Sequence, residues 1–480
     1  MENIMFTQGT GHNITYVMYI CLVAALGGLL LGFDSSVISG AIEPLSDYYQ
    51  LTPASTGWAV SNVIIGCVVG CFSAGMIADK YGRKKTLIVT AILFTVSAAG
   101  SALATDFWVF VVFRMIGGLG IGIASVISSV YIAEVAPKDI RGRAMTMNSI
   151  CCVGGQVVVL ITNYLIAKGA SYDWLVDQGW RWMLGSEFIP CLLFLIFVGM
   201  IPESPRWNAM VGNDEGALKA LTKISNAEHA KKLLAEIKES IHHDQKNHHT
   251  LEKVRFTKKN AIFLIIGIGL AVFNQLTGIN VIQYFGPSLL MNVTDTMQEA
   301  MYMTIFLAAL QFFGVCVGMV LIDTLGRKVL LLWGSIGSTV CLLATFLTFY
   351  FEVKGFTSVI GLFGFMFIFG VTWAQVVWAV IGEIFPNRLR AVGMGVSIAT
   401  MWISNFVISQ TFPMMNKSEW LNDKFHGGFP LLLFAVCCLV SWWFVKTYVP
   451  ETKGVSLEKM EDLVLNRSPK TAEQTQSQIA

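Results

Sequence analysis

Twelve apolar runs, nearly free of charge, dominate this chain of 480 residues. Uninterrupted apolar stretches of about 18 or more residues read as bilayer-spanning helices. Reading between charged or turn-rich breaks places them near 16–41, 57–78, 86–105, 107–133, 144–167, 181–201, 260–287, 300–322, 328–351, 356–382, 391–414 and 428–449. Only 13% of residues are charged and 54% are hydrophobic, against about a quarter charged in a soluble domain. An ordinary soluble enzyme is excluded. Thirty-three Lys+Arg against 31 Asp+Glu leave a net charge of +2, so no basic surface for nucleic acid is expected. The fold class is an all-α polytopic membrane protein.

The first basic residue is Lys80, so the amino end lacks the basic flank of a signal peptide and the first run is expected to stay as helix 1. Loops on one side carry Lys80, Arg83, Lys84, Lys85, Lys138, Arg141, Arg143, Arg327, Lys328, Arg388 and Arg390, whereas alternate loops carry Lys168, Arg181, Lys354, Lys417 and Lys424. The positive-inside rule then predicts a multi-pass protein of the cell membrane, the inner membrane in a bacterium, with both termini and the 202–258 loop cytoplasmic. All ten cysteines lie inside expected spans without a CxxC pair, so neither a disulfide framework nor a zinc site is expected. His242, His243, His248 and His249 form a patch in the central loop, but composition alone supports a metal there. No metal or cofactor is expected. Without a Walker motif, nucleophile elbow or HExxH, neither an ATP-driven pump nor a membrane hydrolase is expected.

The loops repeat. Asp79-Lys-Tyr-Gly82-Arg83-Lys84 recurs as Asp323-Thr-Leu-Gly326-Arg327-Lys328, Glu134-Val-Ala-Pro137 with Arg141 recurs as Glu383-Ile-Phe-Pro386 with Arg390, and Pro202-Glu203 recurs as Pro450-Glu451. The offsets are 244, 249 and 248. Six helices, a linker and six more follow: a bundle over 1–201, a cytoplasmic helical linker over 202–258, a second bundle over 259–449 and a tail over 450–480. An even number of helices per half makes the repeats parallel, with a substrate site expected where they meet. The stretch 467–480 has no core-forming pattern and is expected to be disordered.

Together these residues resemble the sugar porters of the major facilitator superfamily over about residues 16–456. The resemblance rests on Gly82-Arg83-Lys84, Pro202-Glu-Ser-Pro205-Arg206-Trp207, Gln275-Leu-Thr-Gly278-Ile-Asn280, Glu383-Ile-Phe-Pro386 and Pro450-Glu451-Thr452-Lys453-Gly454. The stretch from Asp173 to Trp207 looks most like the bacterial xylose–proton symporter branch. The resemblance implies a twelve-helix transporter that acts as a monomer in the lipid bilayer and imports a monosaccharide with a proton by alternating access.

Three charges lie well inside the spans: Asp34, Arg114 and Glu187. An ionisable group at membrane depth costs about 2.5–3.5 kcal/mol on insertion scales, so it should have a function and a partner. Counted from the expected outer ends at 41, 107 and 181, each is about 10 Å deep at ~1.5 Å per residue. The functional reading is that Asp34 carries the coupled proton, Arg114 holds it ionised in one conformation, and Glu187 modulates the exchange; the alternative is a static ion pair. Symporters of the family carry Asp at the position of Asp34.

A sugar site needs amides, which donate and accept, and an aromatic face. Gln156 lies in helix 5, Asn274, Gln275, Asn280, Gln283 and Tyr284 in helix 7, Trp373, Gln375 and Trp378 in helix 10, Trp402 and Asn405 in helix 11; some amides are equally suited to packing helices together. By resemblance Gln156, Gln275, Asn280 and Trp378 bind sugar and Tyr284 is an external gate. Asn274 and Trp402 are added as substrate-binding candidates. Two departures stand out: Asn274 where the family has Gln, and Ala374-Gln375 where it has Gly-Pro, which weakens the break expected in helix 10. Asp79, Arg83, Glu134, Arg143, Glu203 and Arg206, with Asp323, Arg327, Glu383, Arg390 and Glu451, are expected to form breakable ion pairs at the inner ends. Gly28 with Gly32, and Gly118 with Gly122, are spaced for close helix approach. A facilitative uniporter, an inositol-like polyol transporter and a non-transporting sugar sensor are the alternatives.

Overall fold

A computed structural model describes residues 13–137, 139–248, 258–353, 355–386 and 389–453. The regular elements among them are helices, and twelve are long and apolar enough to cross a membrane. They are Ile14–Tyr48, Pro53–Tyr81, Arg83–Leu103, Phe107–Val135, Arg141–Ala167, Tyr172–Met200, Ala261–Leu290, Met297–Leu325, Arg327–Tyr350, Phe356–Ile384, Val392–Asn416 and Phe429–Tyr448, here helices 1 to 12. All twelve expected spans are present. Helix 1 runs on to Tyr48, because helix ends continue into the polar zone where apolarity no longer marks them. The tail 467–480 and His249 lie outside the described residues, as do the side chains of His243 and His248.

Helix 6 starts at Tyr172, not near 181, so Arg181 is a helical residue rather than a loop charge. Its guanidinium donates to the carbonyls of Ala102 and Ala104 at 2.9 and 2.6 Å, capping the end of helix 3. It also lies over the Trp180 ring, 4.3 Å from the centroid. The Tyr49 hydroxyl donates to the same Ala104 carbonyl at 2.9 Å; burial pushes its pKa up to about 12, so it remains a donor.

Three spans are broken. Helix 6 loosens at Ser186 and Glu187, because Pro190 has no amide proton for the Ser186 carbonyl. Helix 7 divides into Lys258–Leu276 and Ile279–Leu290 at Gly278, whose φ of 83° is left-handed. Helix 10 divides into Ile360–Val371 and Trp373–Ile384 at Thr372, with φ −114° and ψ −83°. That break survives without proline, two residues before the Ala374-Gln375 pair expected to weaken it.

The chain separates into two compact units, Met1–Thr250 and Leu251–Ala480. The first takes in the linker helices Pro205–Met210, Asp214–Ile224 and Ala227–His248. Within it, helices 2 and 4 touch along glycines: a Cβ on Gly118 would strike the Val63 carbonyl, and one on Gly66 the Met115 carbonyl. Gly75 on helix 2 has open space around it. Gly118→Val is therefore expected to lower the thermal unfolding temperature of the purified protein, overpacking costing about 1–3 kcal/mol, while Gly75→Val leaves it unchanged; equal effects would show that the seam does not set the helix spacing.

Candidate functional site

Asp34 and Arg114 are buried at 0% and 2% exposure. Arg114 Nη1 pairs with Asp34 Oδ1, and its Nη2 donates to the Asp34 carbonyl at 3.4 Å. Gly117, one turn beyond Arg114, makes room for the carboxylate: a Cβ there would come within 2.9 Å of Asp34 Oδ2. Glu187 is 2% exposed at the break in helix 6, and the charges of Asp34 and Arg114 both act on it. Asp34 Oδ2, Arg114 Nε and Glu187 Oε1 have no hydrogen-bonding partner among the described residues. The three charges come together as expected, although the depth count that pointed there used helix ends that were too short. Helices 1 and 6 extend well past 41 and 181.

In the second unit the amides form a directed chain. Asn280 Nδ2 donates to Gln275 Oε1, Gln275 Nε2 to Asn274 Oδ1 at 2.9 Å, and Asn274 Nδ2 to the Trp373 carbonyl at 3.4 Å. The chain runs from one lip of the helix 7 break to the helix 10 break. Asn274 and Gln275 are buried, while Asn280 is half-buried and Trp378 is 41% exposed. Trp402 is half-buried and Gln156, in the first unit, is buried. Gln375 turns away from this chain, donating to the Val315 carbonyl on helix 8 at 2.7 Å, and Gln283 donates to Gln311 at 2.9 Å; both act as helix glue. Tyr284 is buried, its hydroxyl accepting from Asn405 Nδ2 at 3.4 Å.

The helix ends carry the same cluster in each unit. Arg83 pairs with Asp79 at 3.1 Å and Glu134 at 3.0 Å; Arg327 pairs with Asp323 at 3.4 Å and Glu383 at 3.2 Å. Glu203 Oε1 accepts from the backbone N–H of Arg83, Lys84 and Ser204 at 2.9, 3.0 and 2.8 Å. Glu451 accepts from Arg327 at 2.9 Å and Lys328 at 3.0 Å in the same way. Each carboxylate thus caps the N-terminus of helix 3 or 9, where orphan N–H groups and the helix dipole favour an anion. Gly82 and Gly326, at φ 99° and 88°, leave the room: a Cβ on either would strike Glu203 or Glu451.

Sequence reasoning missed the hydroxyls beside these acids. Ser204 Oγ donates to Glu134 Oε2 and Thr452 Oγ1 to Glu383 Oε2, both at 2.5 Å; the hydroxyl residue following Pro-Glu in both halves was the available signal. It also chose Arg143 where the repeat pointed to Arg141. Arg141 and Arg390 hold the Ala136 and Phe385 carbonyls at 3.3 Å, five residues back in each case. Arg143 is exposed, and Arg206 sits half-buried in the helix Pro205–Met210.

A family profile described as "Sugar (and other) transporter" matches residues 20–464. The chain belongs to that family. It is 34% identical to the D-xylose-proton symporter of Escherichia coli, over 97% of this chain and 99% of that one. It is 37% identical to the Arabinose-proton symporter of Bacillus subtilis, over 94% and 96%. The solved inward open structure of the xylose transporter XylE from E. coli matches with a TM-score of 0.82 at 33% identity, covering 94% of this chain and 100% of that one. This sugar transporter therefore has the major facilitator fold, with its buried acid–base cluster in the first unit and its amide chain in the second.

Neutralising Asp34 leaves Glu187 as the acid facing Arg114. Glu187→Gln is accordingly expected to lower the thermal unfolding temperature more in an Asp34→Asn background than alone, with a coupling of about 0.5–3 kcal/mol. Additive losses would show that Glu187 does not respond to the pair.

Proposed function

We propose that this chain imports a monosaccharide, a pentose or hexose of the D-xylose kind, together with a proton by alternating access. The observation that carries the reading is the buried Asp34–Arg114 pair with Glu187 beside it. A structural ion pair could be replaced by apolar packing without loss, and membrane-buried charges mark ion pathways. While Arg114 faces it, Asp34 is held as a carboxylate. In a conformation that parts them, an unpaired charge in an apolar site is far less favourable than the neutral acid, so Asp34 binds a proton; re-pairing with Arg114 expels it. Glu187, close to both, is the group that keeps Arg114 neutralised while Asp34 is protonated.

On this reading Gln275, Asn280, Trp378 and Trp402 are the sugar-binding residues of the second unit, and Gln156 is the candidate of the first. Asn274 is a positioning residue: its oxygen fixes Gln275, and its amino group ties the helix 7 break to helix 10. Tyr284 closes the outer side. The inner ends are those bearing Arg83 and Arg327, placing both termini in the cytoplasm of a multi-pass monomer in the cell membrane, the inner membrane in a bacterium. The activity is transport and not catalysis. A uniporter or a polyol transporter is the second reading.

Asp34→Asn is expected to abolish uphill accumulation of labelled sugar in cells while retaining exchange of labelled for unlabelled sugar across the membrane; unimpaired accumulation would sink the proton-carrier role. Gln275→Ala is expected to raise the KM for uptake about tenfold or more, since a buried hydrogen-bond partner of a sugar hydroxyl contributes about 1–3 kcal/mol. Asn274→Ala is expected to lower the maximal rate along with affinity, and a pure KM effect equal to that of Gln275→Ala would make Asn274 a direct ligand instead.

A further inference from the structure

A cavity of about 280 Å³ lies between the linker helix Asp214–Ile224 and the inner ends of helices 3 and 6, just below the about 300–1,000 Å³ of small-molecule pockets. Three lysines line it, Lys84, Lys219 and Lys223, with one acidic residue, Glu203. One oxygen of that carboxylate, Oε1, accepts three backbone N–H groups. Lys84 is steadied by the Gly199 carbonyl at 2.7 Å. Asp214, on the same helix as Lys219, is taken up by Lys238 at 2.5 Å, and Lys219 and Lys223 make no ion pair among the described residues. The buried Asn208 also lines the cavity; its Oδ1 accepts from Asn213 at 3.3 Å.

Two of the three lysines do not follow from the repeat. Lys84 and its carbonyl contact recur in the second unit as Lys328 donating to the Lys446 carbonyl at 3.1 Å, and Glu203 recurs as Glu451. Lys219, Lys223 and Asn208 come from the linker, which lies outside the duplicated halves. Lysine ammonium groups suit a compact dianion approached from several directions, whereas a planar carboxylate is better matched by the arginine fork. We propose that this cavity is a binding site for a phosphomonoester. The phosphate lies among Lys84, Lys219 and Lys223 with Asn208 donating to it, and the ester remainder rests on Ile201 and Ala220. The same linker helix is joined to the helix that carries Asp34: the Asn13 N–H donates to the Ile224 carbonyl at 2.8 Å. The assignment depends on the cavity alone and holds whichever solute the chain carries.

The test is isothermal titration of the full chain in phosphatidylcholine nanodiscs with D-ribose 5-phosphate, beside native mass spectrometry of protein exposed to phosphatidic acid. The variant is Lys219→Gln/Lys223→Gln, on exposed positions, with its thermal unfolding checked against the unaltered chain. Binding of ribose 5-phosphate that weakens tenfold or more in the variant supports a soluble phosphate ester. Phosphatidic acid retained by the unaltered chain and lost from the variant, without ribose 5-phosphate binding, places the same chemistry on a lipid headgroup. Binding of neither probe, or equal binding by a folded variant, overturns the proposal. Sugar uptake by cells expressing the unaltered chain or the variant reads the transport assignment separately.

Discussion

The first unit holds one fully buried charge contact, the pair between Asp34 and Arg114. Two opposite charges taken out of water attract strongly but lose hydration worth several kcal/mol per ion, so such a pair persists only where geometry and further hydrogen bonds offset the loss. The local sequence meets that condition incompletely. Arg114 uses one nitrogen on the carboxylate and another on the Asp34 carbonyl, while Asp34 Oδ2, Arg114 Nε and the nearby Glu187 Oε1 stay unpartnered. An arrangement with more acid than base, and with polar atoms left over, is poorly made as a rivet, and the proton exchange proposed for Asp34 builds on that. Gly117 is what lets helix 4 come close enough for the contact, since any side chain would occupy the carboxylate's space.

The second unit solves a different problem with neutral groups. Breaking helices 7 and 10 exposes backbone polar groups at depths where water is scarce, and such groups must be satisfied internally. The chain from Asn280 through Gln275 and Asn274 to the Trp373 carbonyl joins the two breaks, and each amide fixes the direction of the next. Helix 10 keeps its interruption at Thr372 without proline, and Gln375 fastens the segment beyond it to helix 8. The aromatic residue Trp378 thus rides on a segment tied to helix 7 by Asn274 and to helix 8 by its own Gln375. At the helix ends, Glu203 and Glu451 each seat in an amide nest with an Arg–Glu pair and a hydroxyl beside it, the same device built twice.

The number of spans, their order and the duplication are legible along the chain, because apolar length and loop charge are local properties that no tertiary contact is needed to read. It also named the three buried charges, since an ionisable residue in an apolar run is conspicuous wherever it ends up. The duplicated loops announced the paired clusters, and they also carried the signal for Arg141 and for the hydroxyls of Ser204 and Thr452. Which partners the amides meet depends on the packed fold. Asn274, Gln283 and Gln375 look like equal sugar ligands along the chain, yet each meets a protein partner whose position depends on how helices 7, 8 and 10 are broken and packed. The helix ends, the break at Glu187 and the place of Arg181 inside helix 6 were likewise hidden. The break has a local cause in Pro190, but Arg181 rests on carbonyls of Ala102 and Ala104 some 77 to 79 residues away, and partners at such separations leave no local signature.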